Sequence, residues 1–244
     1  MRLVSVVVDA AEPARLGRFW ADALGWAVTS EEPDGVRVAA TDAPGWGDGG
    51  PPAFVFVPVD DPKVGKNRVH LDLTSSSLRE QSATVERLEE LGARRADIGQ
   101  EDTPWVVMAD PEGNELCVLD PREVYRDVGP VAAVIVDCAD PVELSNFWIR
   151  ASGWPVLRYN EQFAALRHVR TPTTWLELLA APDPKAGKNR VHLDVAPRPG
   201  DDLDRAVERL ERAGGRRIDI GQGDVPWVVM ADPEGNELCV LPPR

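Results

Sequence analysis

The sequence is poor in the residues from which catalytic machinery is usually built. It holds three histidines, three cysteines and two tyrosines in 244 residues, so imidazole chemistry has to rest on His70, His168 or His192. Cys117, Cys138 and Cys239 form neither a CxxC pair nor a dense even set. That argues against a disulfide scaffold and reads as buried, reduced thiols. Basic residues are outnumbered, 27 Lys and Arg against 41 Asp and Glu, for a net charge of −14. A chain of that sign with no compensating basic run repels phosphate, so a small molecule is a better expected partner than nucleic acid or an anionic membrane. No apolar run approaches the ~18 residues of a membrane span, and the start lacks a signal-peptide core, so a cytoplasmic location is expected. GxSxG, GxGxxG, P-loop and HExxH motifs do not occur, which leaves hydrolase, nucleotide and zinc-protease chemistry without support.

What is present is a repeat. RRADIGQEDTPWVVMADPEGNELCVL at 94–119 returns as RRIDIGQGDVPWVVMADPEGNELCVL at 216–241, and KNRVHLD at 66–72 returns at 188–194. The offset is constant, since His70 matches His192 and Glu115 matches Glu237. A tandem duplication of this kind divides the chain into two domains of about 120 residues. The spacing puts them at 1–121 and 130–244, joined by a charged linker at 122–129 without apolar periodicity.

Each copy opens with a β-branched strand (3–10; 130–138), followed by a helix with Leu16, Phe19, Trp20 and Leu24, or Leu144, Phe147 and Trp148, on one face. Short strands follow, at 35–40 and 53–59 in copy one and near 155–159, 162–168 and 174–180 in copy two. The Gly- and Pro-rich loop at 41–52, longer than its counterpart, is expected on the surface. The order then restarts with NRVHLDLT, a helix over 77–93, and a hairpin turned by DPEGN. Four βαβββ units lie in line.

Period two places His70 and Asp72 on one face of their strand, and Glu115 and Cys117 on one face of theirs. If each unit's last strand pairs beside its first, His70 meets Glu115 and His192 meets Glu237. Such a pair can bind a divalent metal, shuttle protons, or hold itself in a hydrogen bond. Trp105 and Trp227, beside the DPEGNE turns, are candidate pocket walls as well as candidate core. His168 is a candidate acid or base, or a surface strand residue.

The serial βαβββ units, the strand-borne His of RVHLDL and the ending DPEGNELCVL resemble the vicinal-oxygen-chelate superfamily, specifically its glyoxalase-like domains. The resemblance covers nearly the whole chain twice. It implies an α+β fold in which paired units form two open barrels, with helices outside and a ligand cavity inside. It also implies ligands from the first and last strands of each unit: Ser5, Val55, His70 and Glu115 in copy one, and Ala133, Glu177, His192 and Glu237 in copy two. Copy one then lacks a metal set. Copy two offers Glu177, His192 and Glu237 to Mn, Fe, Ni, Co or Zn, with His192 and Glu237 also expected to be catalytic, while His70, Glu115, Trp105, Trp227 and His168 would contact ligand. Two functions follow from the resemblance: a metal-dependent lyase or isomerase on a carbonyl or enolate-type metabolite, or a metal-free protein that sequesters a small aromatic metabolite or antibiotic. For assembly, it implies either an internal pseudo-dimer within one chain or a homodimer.

Overall fold

The computed structural model describes residues 1–100 and 102–244. Unit one comprises β1 (Arg2–Ala10), α1 (Pro13–Leu24), β2 (Ala27–Glu32), β3 (Gly35–Ala39) and β4 (Ala53–Pro58). Unit two comprises β5 (Val69–Leu73), α2 (Leu78–Glu90), β6 (Arg94–Arg95), β7 (Val106–Ala109) and β8 (Glu115–Val118). Copy two repeats the plan with β9 (Val131–Cys138), α3 (Pro141–Ser152), β10 (Val156–Tyr159), β11 (Phe163–Leu166) and β12 (Trp175–Ala180). It closes with β13 (Val191–Ala196), α4 (Leu203–Glu211), β14 (Arg216–Arg217), β15 (Val228–Ala231) and β16 (Glu237–Val240). No helix is long and apolar enough to cross a membrane among the described residues.

Local signals explain the helices. Pro13 starts α1, where a missing N–H costs nothing, and Gly25 ends it in the left-handed region at φ 67. Asp140 and Ser77 cap α3 and α2 by accepting from Glu143 N and Glu80 N. Strand β2 was not anticipated, because AVTSEE carries no apolar alternation and is held by its pairing with β3. The 41–52 loop departs further from expectation. It folds a 3-10 turn at Trp46–Asp48 that drives Trp46 fully into the core, edge-on to Trp154 at 5.7 Å, with its indole N–H donated to the Thr174 carbonyl. A loop that carries a tryptophan can recover the cost of ordering its backbone by burying the ring, and here it ties copy one to copy two.

Two open eight-stranded sheets result, in the orders β14-β15-β16-β13-β1-β4-β3-β2 and β10-β11-β12-β9-β5-β8-β7-β6. Within each unit the last strand does pair parallel beside the first when counted by function: β4 on β1, β8 on β5, β12 on β9 and β16 on β13. The two copies, however, do not each build a sheet. Strand β1 pairs antiparallel with β13, and β5 with β9, so each sheet joins one unit from each copy. The chain itself supplies both halves of each sheet, as an internal pseudo-dimer would.

Both sheets are backed by one shared core. The apolar faces of the helices and the convex sides of both sheets share one core, in which Leu16, Trp20, Leu88, Phe147, Trp148 and Leu210 are buried. Within a copy, Trp20 donates to Asp110 at 3.2 Å and Trp148 to Asp232 at 3.3 Å, so each opening helix leans on the DPEGN turn of the same copy. Between copies, Arg190 donates to Glu112 at 2.6 Å and Arg68 to Glu234 at 3.2 Å. Each opening helix is thus tied to the DPEGN turn of its own copy, while each sheet joins units from both copies. The expected spacer at 122–129 is likewise part of the fold. It turns at Glu123–Tyr125 and buries Tyr125 and Val128 against Ala133, Ile135, Ala165 and Trp175 on the concave face of the second sheet.

Candidate functional site

The alternation of each strand sends one set of side chains to the helix-covered face and the other to the concave face. On the second sheet His70 and Asp72 from β5, Cys117 from β8, Asp137 from β9 and Glu177 from β12 converge. His70 lies between two carboxylates, with Nδ1 3.4 Å from Asp72 and Nε2 3.7 Å from Asp137. Burial works to push its pKa down, but Asp137 and Asp72 outweigh it and raise it to about 9. His70 is therefore an imidazolium at neutral pH. Asp137 is also paired with Lys66, and its carboxyl is held below the usual range because His70 and Lys66 outweigh its burial.

Glu177 stands on the same face and accepts a hydrogen bond from the Tyr125 hydroxyl at 3.0 Å. Burial drives its pKa up, the Tyr125 hydroxyl opposes this, and the charge of Asp72 adds to it, for a value of about 7. Trp175, two residues earlier on β12 and on the same face, lines a cavity of about 420 Å³ together with Glu123, Val124, Asp127, Leu157, Arg158, Arg167 and Pro172. Arg167 stacks on Trp175 at 4.3 Å, and Arg122 sits over Trp105 at 5.4 Å. Two larger cavities, about 500 and 570 Å³, border the same groups: one, between α2 and the linker, is lined by Tyr125 and Arg122, and the other, between the two PKxGKNR loops, by Asp137 and Lys66.

The first sheet carries the matched face with different residues. Ser5 replaces Ala133 and Val55 replaces Glu177. His192, Asp194 and Cys239 bring one nitrogen, one oxygen and one sulfur within 4.8 Å of one another. His192 Nε2 faces Cys239 Sγ at 3.5 Å and Asp194 at 4.0 Å, while its Nδ1 is buried without a partner. Burial, then the charge of Lys188, lowers this imidazole to about 3, so it is neutral. Burial raises Asp194 to about 6, against the hydroxyl of Ser5, which donates to it at 2.8 Å.

The expected site residues are therefore redistributed. Glu177 belongs to the second sheet with His70, whereas His192 and Glu237 belong to the first, so the trio Glu177, His192 and Glu237 does not share a face. Exchange of units between copies is the reason. Glu115 and Glu237 are engaged elsewhere: each accepts from a lysine at 2.8 Å (Lys63, Lys185) and from a backbone N–H (Asn67 at 3.0 Å, Asn189 at 3.1 Å). They close the loops before β5 and β13. The donors near the histidines are instead the aspartates two residues on and the cysteines two residues after each Glu. Strand alternation had already put Asp72 with His70 and Cys117 with Glu115, which was the available signal. His70, Asp72 and Cys117 also lie within 4.8 Å, so the matched cluster occurs in copy one, where no metal set was expected.

Trp105 packs against the concave cluster of the second sheet, as a pocket wall would, and Trp227 is half-buried at the matched place on the first. His168 is not at either concave site. It bonds Thr171 at 2.8 Å and lies edge-on to Trp154, because the bend after β11 turns it toward the buried Trp46 loop. Tyr125, Arg158 and Arg167 were missed in the sequence, since nothing in a linker or in short exposed strands marks which side chains will roof a cavity.

Comparison with known proteins agrees with this architecture. A model of the glyoxalase-like domain matches residues 5–119 and again 133–241. No curated protein matches the chain. Glyoxalase I from Zea mays superposes with a TM-score of 0.70 at 15% identity, covering 99% of this chain and 92% of that one. A glyoxalase/bleomycin resistance protein/dioxygenase family enzyme from Burkholderia phytofirmans PsJN aligns over 46% of this chain and 96% of its own, at 17% identity and a TM-score of 0.38. With both repeats matched over nearly their full length, the chain belongs to the glyoxalase-like domain family of the vicinal-oxygen-chelate superfamily.

Proposed function

We propose that the protein acts on a small carbonyl compound at the concave face of its second sheet, as a lyase or isomerase that moves a proton through Glu177. The observation that carries this reading is the placement of Glu177: a largely buried carboxylate, bonded to Tyr125 and on the same strand face as Trp175, which lines a cavity of ligand size two residues away. A carboxylate held near neutrality can both take and return a proton, and groups so placed contribute roughly 10²–10⁴ in rate. His70, with one ring nitrogen facing Asp72 and the other Asp137, holds those two carboxylates in place on the same face. Tyr125 positions Glu177 and excludes water from its inner side.

The donor sets differ in how they suit a divalent ion. His70, paired with Asp72 and Asp137, would have to give up a proton and one of those pairings to ligate an ion. His192 fits: it is neutral, its Nδ1 is unpartnered, and Asp194 and Cys239 stand beside it. Burial pushes the Cys239 thiol up, so an ion would have to displace its proton; the resulting nitrogen, oxygen and thiolate set would suit Zn²⁺ above the harder ions, and a bound ion would supply Lewis-acid polarisation of a carbonyl on the first sheet. We place the metal, where one binds, on His192, Asp194 and Cys239 rather than on Glu177 or Glu237.

Metal-free binding of a small aromatic compound is the second reading. It is favoured by the aromatic wall of the second concave face, where Trp105, Phe163 and Trp175 line up with Arg122, Arg158 and Arg167 stacked on them. Proton exchange separates the two. Incubation with small 2-oxo and 3-oxo compounds in D₂O, followed by NMR of the carbon-bound protons, should show saturable exchange that falls about 100-fold or more in Glu177→Gln. Saturable binding without exchange would leave the sequestration reading standing and remove the enzyme.

A further inference from the structure

The concave face of the second sheet holds hydrogen-bond donors that the protein leaves without acceptors. Arg167 Nε and Trp175 Nε1 are both buried and unpartnered, and Trp175 is only 2% exposed. Buried N–H groups are paired in more than about nine cases in ten, so two orphans on one cavity wall are unusual. Both residues line the 420 Å³ cavity, together with Arg158. Among the described residues, neither Arg158 nor Arg167 has an ion-pair partner, and each instead lies over an aromatic ring, Phe163 at 5.4 Å and Trp175 at 4.3 Å. A stacked guanidinium keeps its edge free to donate.

From this we infer that the cavity recognises the carboxylate of a small organic acid, with Arg167, Arg158 and the Trp175 indole as its donors. The inference rests on reading this concave face as the ligand site, and it names the class of ligand. Two acids, Glu123 and Asp127, line the cavity with the two arginines, so the four charges sum to zero; a doubly charged phosphate is disfavoured, and a monoanion would be held by the donors themselves rather than by a net field. Val124, Leu157 and Pro172 supply an apolar side for the body of the acid. Register sets where the rest of the ligand goes. Arg158 pairs with Ala165 and Ala165 with Glu177, so the three form one row across β10, β11 and β12. Two strand spacings amount to about 10 Å between the outer Cα atoms. A carboxylate held at Arg158 would share a face and a row with Glu177, so the carbon chain of a 2-oxo or 3-oxo acid would have to run across β11 to reach it.

Isothermal titration calorimetry with benzoate, benzamide and phenyl phosphate tests the assignment on the full chain. Benzoate should bind at least tenfold more tightly than benzamide. Arg158→Gln and Arg167→Gln should each remove that preference, so that benzoate binds no more tightly than benzamide to the same variant, and Arg167→Lys should keep part of it. Arg158 is exposed, so its variant is expected to melt like the parent and keeps the test valid if replacement of Arg167 disturbs folding. Equal binding of benzoate and benzamide, no benzoate binding, or variants without effect would overturn the carboxylate site. Tighter binding of phenyl phosphate than of benzoate would overturn it in favour of a phosphate site. Glu177→Gln should retain the benzoate preference. In the parent protein, absence of proton exchange with that preference intact refutes only the catalytic reading, and exchange without the preference refutes only the carboxylate site.

Discussion

Replacing Glu177 by glutamine tests the electrostatics of the second concave face without reference to any substrate. Taking its pKa from the ordinary 4.5 to about 7 means that the ionised form costs the folded chain about 3 kcal/mol. The folded state holds this proton more tightly than the unfolded state does, so the group's contribution to stability falls as pH rises from about 4.5 to 7 and stays lost above that. Glutamine preserves the shape and can still accept from Tyr125, but it carries no charge at any pH. The variant should therefore match the parent within about 1 kcal/mol at pH 5 and exceed it by about 3 kcal/mol at pH 8. For a chain of this size the gap would open by roughly 5–10 °C in melting temperature. Thermal unfolding followed by circular dichroism at pH 5, 6, 7 and 8 reads it directly. Parallel curves for the two proteins, with no widening between pH 5 and 8, would show that Glu177 ionises at its ordinary value and that neither burial nor Asp72 perturbs it.

His70 should titrate near pH 9 by imidazole NMR, and its contribution to stability, complete below the ordinary value of 6.5, should vanish as pH rises through 9; a midpoint at or below 6.5 would break the ion-pair assignment with Asp72 and Asp137. Glu237→Ala strands the partly buried Lys185 charge and should cost roughly 3 kcal/mol in denaturant unfolding. Its metal content after zinc loading should equal that of the parent, whereas Cys239→Ser should lose the ion; the opposite pattern would return Glu237 to the ligand set. Trp46→Ala removes a wholly buried ring and its bond to Thr174, and should lower stability by about 3–5 kcal/mol in the same assay. A cost under 1 kcal/mol would mean that the loop is a surface insertion after all.

What the amino-acid sequence determined by itself was everything carried by local periodicity and repetition. Four βαβββ units, the capped apolar helices, the DPEGN turns and the shared face of His70 and Asp72 all follow from side-chain alternation and turn chemistry within a few residues, and each was legible. Only the tertiary structure decided which unit completes which sheet. Strands β1 and β9 carry equivalent patterns, so pairing within a copy and pairing between copies satisfy local periodicity equally; the choice rests on Trp20 with Asp110, Trp148 with Asp232, and the cross-copy arginines, all contacts between distant residues. That choice carries Glu177 away from His192 and sets it beside His70. The roof over Glu177 was equally invisible, because Tyr125 sits in a stretch without apolar period and becomes buried only when a concave sheet exists to receive it. Alternation along a strand assigns a side chain to a face, but which other side chains share that face depends on long-range pairing, and pairing is set by packing on the far side of the sheet.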